Sequence, residues 1–536
     1  MDEGDKVLKN KESSSPKILI IGAGARGNAY ARAICNSTNG KLLCVAEPIL
    51  KKRKRFGEQF IWGKSRSDEG QEFESWQDFL VWEQVRRSKA SDGEKVPEGV
   101  DAIFICILDE LHKDAIVGLA PLGLHIMCEK PLATSLNDCI SIYKSLLPNL
   151  PDSTPTKLFA IGHVLRYSPH NLLLRKLLLE DKVIGEIMSI NHTEPVGWWH
   201  FAHSYVRGNW RKVSTSAPSL LTKSCHDLDL LLWILCSPPV ADSSQQPHLP
   251  TMISSMGSVQ YFNQTKKPTT AGSATNCLKC PAENKCKFSA KKIYLGDQHQ
   301  GLQSGNRSWP INIILPDIEE CITLGGYASG EAALIAKLAE DYDSSTPTYQ
   351  ISAKNWFGRC VFESDNDVCD NQVVLMSWDN EPQSSTNCDT KPPLANRGAK
   401  TAVFHMVAHT QKMCKRYSNI YGSDGEIYAD SETITVQDFN NGTQKTYTPP
   451  KSGGGHGGGD EGLARQFIYA IDQVKNHGLS VDEAQRAYIK CTLEEVIRSH
   501  AIVFAAEEAR LTRQVLDFPK WWRDKVQTNL LVDNRL

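Results

Sequence analysis

The stretch Lys17-Ile18-Leu19-Ile20-Ile21-Gly22-Ala23-Gly24-Ala25-Arg26-Gly27 decides the fold. A short apolar run ending in glycine reads as a parallel strand buried on both faces. The glycines form G-x-G-x-x-G where that strand passes into a helix over Ala25 to Cys35. Gly22 permits the tight turn, Gly24 lets backbone approach a pyrophosphate, and Gly27 lets helix and strand pack closely. The helix start presents free N–H groups to phosphates, so the loop, Ala25 and Arg26 included, is the expected cofactor cradle. Glu47 ends a second strand, Lys41 to Glu47, where a carboxylate can accept hydrogen bonds from a ribose 2′-hydroxyl. That acid favours NAD(H). The basic run Lys51 to Arg55 keeps NADP(H) open, against its reading as a solvated helix face.

Outward from this unit, strands alternate with helices. Asp101 to Leu108 and Leu124 to Lys130 read as strands with a helix, Leu111 to Gly123, between them. Alternation of this kind implies right-handed βαβ units on a parallel sheet. Gly63 to Gly99 reads as a helix with long loops. From about Glu186 extended segments predominate: 186–194, 252–262, 359–363, 372–378, 402–409 and a hairpin-like 425–439. Helices are expected at Ser219 to Cys236, Leu463 to Val474 and, unbroken, Val481 to Arg510. The expected fold is α/β: a doubly wound Rossmann domain over 17–150, then a C-terminal α+β domain over 151–536 with a large, mostly antiparallel open sheet. A disordered tail covers 1–16, and polar insertions are expected near 238–250 and 380–397.

Composition narrows the function. Over 536 residues, Lys+Arg 60 against Asp+Glu 62 leaves a formal charge of −2, which argues against nucleic acid as partner. The longest apolar stretch, Leu228 to Cys236, contains Asp229 and is far short of a membrane span. Sixteen cysteines without a secretory leader suit reduced thiols in the cytoplasm. Most, such as Cys44, Cys106, Cys128 and Cys236, lie in apolar runs and read as small core residues. Cys277, Cys280 and Cys286 differ: C-x2-C-x5-C in a polar loop suits three ligands of a structural zinc, with Cys321, Cys360, Cys369 or His299 as a fourth. A redox pair or merely clustered thiols is the competing reading.

At Cys128-Glu129-Lys130-Pro131 the chain resembles the Gfo/Idh/MocA oxidoreductases. His112, Arg166-Tyr167 with Pro169, Gly185-Glu186-Ile187 and His226 with Asp229 match the same pattern. Tracts such as 199–210, 223–229 and 455–460 are similar to one branch of the family. The resemblance implies NAD(P)-dependent redox chemistry on sugars, polyols or related carbonyl compounds, and a homo-oligomer (dimer or tetramer) formed through the open sheet. It implies cofactor contacts from His112, Glu129 and Lys130. Substrate contacts would come from Lys130, Arg166, Trp199, His203, Lys223, His226 and Asp229.

The residue chemistry runs parallel. Lys130, at the carboxyl end of a parallel strand, can hydrogen-bond a reacting oxygen and stabilise its developing charge, with Glu129 orienting it. His226 is the other proton-transfer candidate, with Asp229 on its face at i+3. Many relatives carry an aspartate four positions before this histidine; here Thr222 stands there, followed by Lys223. Trp198 to Trp210 crowds aromatic and polar groups in a way that suits a carbohydrate, or a loop core. Gly453 to Gly459 reads by default as a linker, with His456 able to reach substrate if the loop closes. The leading expectation is hydride transfer between nicotinamide and a carbohydrate-like small molecule, with Lys130 and His226 as catalytic residues. The alternatives are a glycosidase that oxidises its sugar transiently, and a non-catalytic dinucleotide sensor.

Overall fold

The computed structural model describes residues 14–147, 155–236, 247–381, 397–450 and 455–531. The tail expected at 1–16 and the insertions expected near 238–250 and 380–397 lie almost wholly outside these residues.

Six parallel strands form the first sheet: β1 (Lys17–Ile21), β2 (Lys41–Ala46), β3 (Glu72–Phe73), β4 (Ala102–Ile105), β5 (His125–Cys128) and β6 (Phe159–Ile161). Their order is β3-β2-β1-β4-β5-β6, the doubly wound order that reverses beside β1 and opens a crevice at its carboxyl end. The central strands are apolar on both faces, and α1 (Ala25–Ser37), α2 (Leu50–Phe60), α3 (Trp76–Ser91), α4 (His112–Leu119) and α5 (Leu136–Leu146) supply the crossovers. β3 was not legible because only Phe73 of its two residues is buried. The first sheet also runs past the expected boundary at 150, taking its last strand from 159–161.

The second sheet has nine strands: β7 (Ile187–Pro195), β8 (Met252–Ser258), β9 (Asn371–Trp378), β10 (Lys400–Val407), β11 (Tyr417–Gly422), β12 (Gly425–Ala429), β13 (Ile434–Asp438), β14 (Gln444–Tyr447) and β15 (Leu516–Asp517). Their order is β14-β13-β12-β11-β7-β10-β9-β8-β15. All pairs are antiparallel except β7 with β10. One face packs on the helices Ser219–Leu235 and Leu493–Thr512; the other exposes Met188, Met252, Met256 and Leu375.

Two expectations give way here. Residues 359–363 form no strand, only the isolated bridge Asn276↔Arg359. The helix read through 481–510 breaks at Lys490, whose φ is 55°, and restarts at Leu493 under a capping box made by Thr492 and Glu495. Between β8 and β9 the chain makes short helical turns and one long helix, Ile318–Ala339, around a second small core that includes Tyr294, Ile311 and Leu334.

Candidate active site

The carboxyl edge of the parallel sheet gathers the site. At Gly27 a Cβ would come 2.0 Å from the Gly22 carbonyl oxygen, whereas at Gly24 it would meet no protein atom within 4 Å. The loop is packed from below and open above. α1 starts with Gly24 as N-cap and no side-chain cap, so its first N–H groups face that open space. These features fit the pyrophosphate of a dinucleotide. Glu47, just beyond β2, accepts hydrogen bonds from the backbone N–H of Ala23 (2.9 Å) and of Ile49 (3.0 Å). Its carboxylate is thereby fixed beside the glycine loop. The basic run is engaged by carboxylates: Lys51 with Glu320, Arg55 with Glu319, Arg53 and Lys54 with Glu72. His112 is buried, with Nδ1 2.7 Å from the Pro131 carbonyl and Nε2 3.3 Å from that of Ile107. It braces the turn that carries Lys130.

That turn follows β5, with a cis Lys130–Pro131 peptide. Lys130 Nζ donates to the Thr222 carbonyl (2.5 Å), so the lysine spans from the Rossmann sheet to the helix bearing His226. Glu129 does not orient the ammonium group, contrary to expectation. It accepts from Arg26 Nε and the Tyr30 hydroxyl (2.7 Å each) and from the Lys130 backbone N–H (3.1 Å). Burial opposes ionisation of Glu129, yet the Arg26 guanidinium holds its carboxyl below the usual range. Arg26 also forks onto Asp460 at 2.8 and 3.0 Å. Asp109, past β4, accepts from Trp210 Nε1 (2.9 Å). Burial raises its pKa, against the charges of His112 and Lys130. Asp109 is thus a buried carboxyl within reach of the Lys130 charge, where position 222 supplies none.

Every residue of the helix Ser219–Leu235 is buried. The expected partnership of His226 with Asp229 is not made. Asp229 accepts from Arg166 Nε and Nη2 (2.8 Å each) and lies 3.1 Å from His163 Nδ1. A forked guanidinium outcompetes a neutral imidazole for a buried carboxylate. Arg166 and Asp229 thus satisfy each other rather than facing a ligand. His226 Nε2 lies instead 2.7 Å from Arg416 Nη2 and 3.4 Å from Asp227, with the His456 ring 5.9 Å away. Burial drives the His226 pKa well below its ordinary value; Asp227 opposes this, while Arg416 and Lys130 add to it. A neutral ring that accepts at Nε2 carries its hydrogen on Nδ1. Among the described residues, Nδ1 has no hydrogen-bond partner.

Lys223 Nζ lies 3.0 Å from Cys414 Sγ and 3.2 Å from Glu194, and Arg416 reaches Glu194 (3.0 Å) and Asp227. The second cation foreseen near the histidine is thus one of two, balanced by two carboxylates. The sequence does not single out Arg416, Asp227 or Glu194, and it marks Asp460 only as the end of the 455–460 tract. Arg416 precedes β11, a strand too polar to stand out. The glycine run is no linker where it is described: His456 Nδ1 sits 3.0 Å from Asp460 Oδ1, which Arg26 anchors. A cavity of about 480 Å3 opens beside Cys414, Arg416 and His456, a volume suited to a small ligand.

Trp199 and His203 form a wall rather than a free surface. Trp199 stacks near Trp309 and His299 (5.4 and 5.8 Å between centroids); His203 bonds the Tyr294 hydroxyl (3.1 Å) and lies on Phe357. Cys277, Cys280 and Cys286 border one cavity. Among the described residues the tight group of ligand-type atoms is another, His163, Cys225 and His500, within 4.8 Å of one another. Both His500 nitrogens there are committed, to the Leu132 N–H and the Val496 carbonyl.

Sheet order, glycine turn and acid-terminated second strand define a Rossmann-type α/β protein whose loop fits a dinucleotide. Residues 16–146 match the oxidoreductase family with an NAD-binding Rossmann fold, Gfo/Idh/MocA. The 2,7-anhydro-N-acetylneuraminate hydratase of Escherichia coli (strain K12) is 26% identical over 216 residues, 40% of this chain and 48% of its own. The inositol 2-dehydrogenase of Rhizobium meliloti (strain 1021) is 22% identical over 231 residues, 41% of this chain and 56% of its own. The chain thus spans about half the length of these curated relatives. Levoglucosan dehydrogenase in complex with NADH superposes with a TM-score of 0.56 at 14% identity, covering 94% of this chain and 99% of the other; this likeness shows the fold alone. No helix among the described residues is long and apolar enough to cross a membrane.

Proposed function

We propose that the protein is an NAD(P)-dependent oxidoreductase that moves a hydride to or from a CH–OH carbon of a sugar, polyol or sugar derivative, with NAD(H) preferred. The observation that carries this reading is Lys130: its Nζ bridges the carboxyl edge of β5 and the helix bearing His226. A bound nicotinamide dinucleotide supplies the hydride donor or acceptor. Gly24 and the α1 N-terminus hold its diphosphate, and Glu47 receives the ribose. Lys130 hydrogen-bonds the reacting oxygen and stabilises negative charge developing there. Asp109, its pKa raised by burial, takes part in proton exchange with that lysine. His226, neutral and aligned by Arg416, offers Nδ1–H to a second substrate oxygen. Preference for NAD(H) follows from Glu47 and from the ion pairs that occupy the basic run.

Incubating the enzyme with NAD+ and a panel of polyols and sugars, and reading NADH, tests this directly. Wild type should turn over at least one class, and Lys130→Ala should lose about 100-fold or more in kcat while still binding NADH. Equal inertness of both proteins across a broad panel would refute it.

A second reading is favoured by the absent acid at Thr222 and by the hydratase named among the relatives: transient oxidation that acidifies a neighbouring carbon, elimination or addition there, and return of the hydride. It predicts product formation that needs catalytic NAD+ without net NADH.

A further inference from the structure

The segment between β8 and β9 holds three cysteines in a polar loop, and the fold brings a fourth to them. Cys277 and Cys280 flank a single helical turn, and Cys286 ends the next one. The Cys280 N–H returns to the Cys277 carbonyl (3.2 Å), and the Cys286 N–H to those of Ala282 and Glu283 (3.1 Å each). Two consecutive tight turns thus fold the thiols toward one side. The bridge Asn276↔Arg359 then registers a distant strand of chain against this loop. The Cys277 N–H donates to the Gly358 carbonyl (2.8 Å) and the Cys360 N–H to that of Thr275 (2.7 Å). Cys277, Cys280, Cys286 and Cys360 all border one cavity of about 150 Å3. Of the four residues that spacing alone left open as a fourth partner, Cys360 is the one in this cavity's lining. His299 instead meets Trp198 edge to face and lies tilted beside Trp199.

Arg207 gives an independent sign of charge. It borders the same cavity and is 0% exposed. Nη2 lies 3.3 Å from Cys277 Sγ and 2.7 Å from the Phe288 carbonyl, and Nε donates to the Arg359 carbonyl (2.8 Å). Nη1 has no hydrogen-bond partner among the described residues. Its guanidinium also lies over the Tyr294 ring, 5.9 Å from the centroid, and no ion pair joins it to a carboxylate among the described residues. A fully buried guanidinium without a counter-ion is costly. Four thiolates around a divalent ion carry a net charge of about −2, which supplies the missing anion.

We propose that Cys277, Cys280, Cys286 and Cys360 are the ligands of a structural zinc ion, with Arg207 as its buried counter-charge. The four sulfurs have not closed into a triad as tight as His163, Cys225 and His500, so binding draws them together as zinc replaces the thiol protons. The ion would stabilise a segment whose own core is small and whose Tyr294 and Trp309 form the wall against His200 and His203.

The test is elemental analysis of the full chain purified under reducing conditions without chelator, followed by cobalt substitution of the apoprotein. The expected result is about one zinc per chain and, with cobalt, the absorption of a tetrahedral thiolate site. Cys280→Ser, Cys286→Ser and Cys360→Ser should each lower metal content at least tenfold, whereas Cys321→Ser and Cys35→Ser should keep it. NADH binding by titration calorimetry checks that each variant is folded. Metal-free protein that binds neither ion with its thiols reduced would overturn the proposal, as would iron with acid-labile sulfide or a Cys280–Cys286 disulfide. Full metal retention in a folded Cys360→Ser variant would remove Cys360 from the site and refute the ligand set.

Discussion

Gly24→Ala separates cofactor binding from folding more sharply than any other single change in the loop. A Cβ at Gly24 meets no protein atom within 4 Å, while at Gly27 it would lie 2.0 Å from the Gly22 carbonyl oxygen, far inside ordinary contact. Gly24 is an N-cap with extended backbone angles, φ −78° and ψ −163°, that alanine adopts freely. Its replacement therefore costs folding only the difference between glycine and alanine caps, about 1 kcal/mol or less. The methyl group fills the space through which a diphosphate reaches the α1 N–H groups. Losing one hydrogen bond to a charged group is worth about 1.5–3 kcal/mol, or a rise in Kd of roughly 10- to 150-fold. Gly27→Ala instead forces backbone apart and should cost about 1–3 kcal/mol of stability. Calorimetric titration with NADH, alongside urea unfolding, measures both quantities. Wild-type NADH affinity in a stable Gly24→Ala protein would refute the cradle and the reasoning from open space.

Buried neutral histidines make stability fall with acid. Burial lowers the pKa of His226 and His200, that of His203 and His500 to about 3, and that of His125 to about 4. The unfolded chain takes up protons below its histidine pKa of about 6.5 that the folded chain refuses, so each contributes a loss of about 1 kcal/mol between pH 7 and 5.5. An unfolding midpoint in urea that does not move over this range would contradict it. Asp229→Ala leaves the buried Arg166 with Glu495, at 3.2 Å, as its remaining carboxylate partner and should cost about 3 kcal/mol, part of which Arg166→Met should restore in the double variant; stability equal to wild type would mean the pair is not formed. Met256, 77% exposed on the open face of the second sheet, should lie in an interface between copies if the protein oligomerises through that sheet. Sedimentation of Met256→Arg would then show a shift toward monomer, and an unchanged profile would place any interface elsewhere.

What could be read along the chain was what is local along the chain. Gly22 to Gly27, Glu47 and Lys130 stand at ends of short apolar strands, where one contiguous stretch sets both conformation and role. The helix carrying His226 was equally plain, but its partners were not. Asp229 lies one turn away in sequence, and that spacing points to it as the partner; the geometry prefers Arg416, which arrives beside a polar strand, Tyr417–Gly422, whose apolar alternation is weak. A signal did exist for the break at Lys490: Thr492-x-x-Glu495 and Ser480-x-x-Glu483 are both capping boxes. Cys360 had none. Its approach to Cys277 depends on a bridge closed across the whole insertion.

Arg26 shows why the two sheets make one site. It occupies a variable position of the glycine motif and is expected from the sequence only as part of the cofactor cradle. Its guanidinium nevertheless joins Glu129, before the lysine, to Asp460, which holds His456 near the His226 ring. Burial opposes ionisation of both carboxyls, and Arg26 is among the charges that keep each below its usual range. Without it, two buried carboxylates would stand at the mouth of a loop that must accept a polyanionic diphosphate. The residue that shapes the cofactor loop therefore also sets its charge, and it ties that charge to the segment beside the proposed substrate histidine. One side chain thus joins the glycine loop to His456 beside the His226 ring, and neither the glycine motif nor the lysine motif contains it as a required residue.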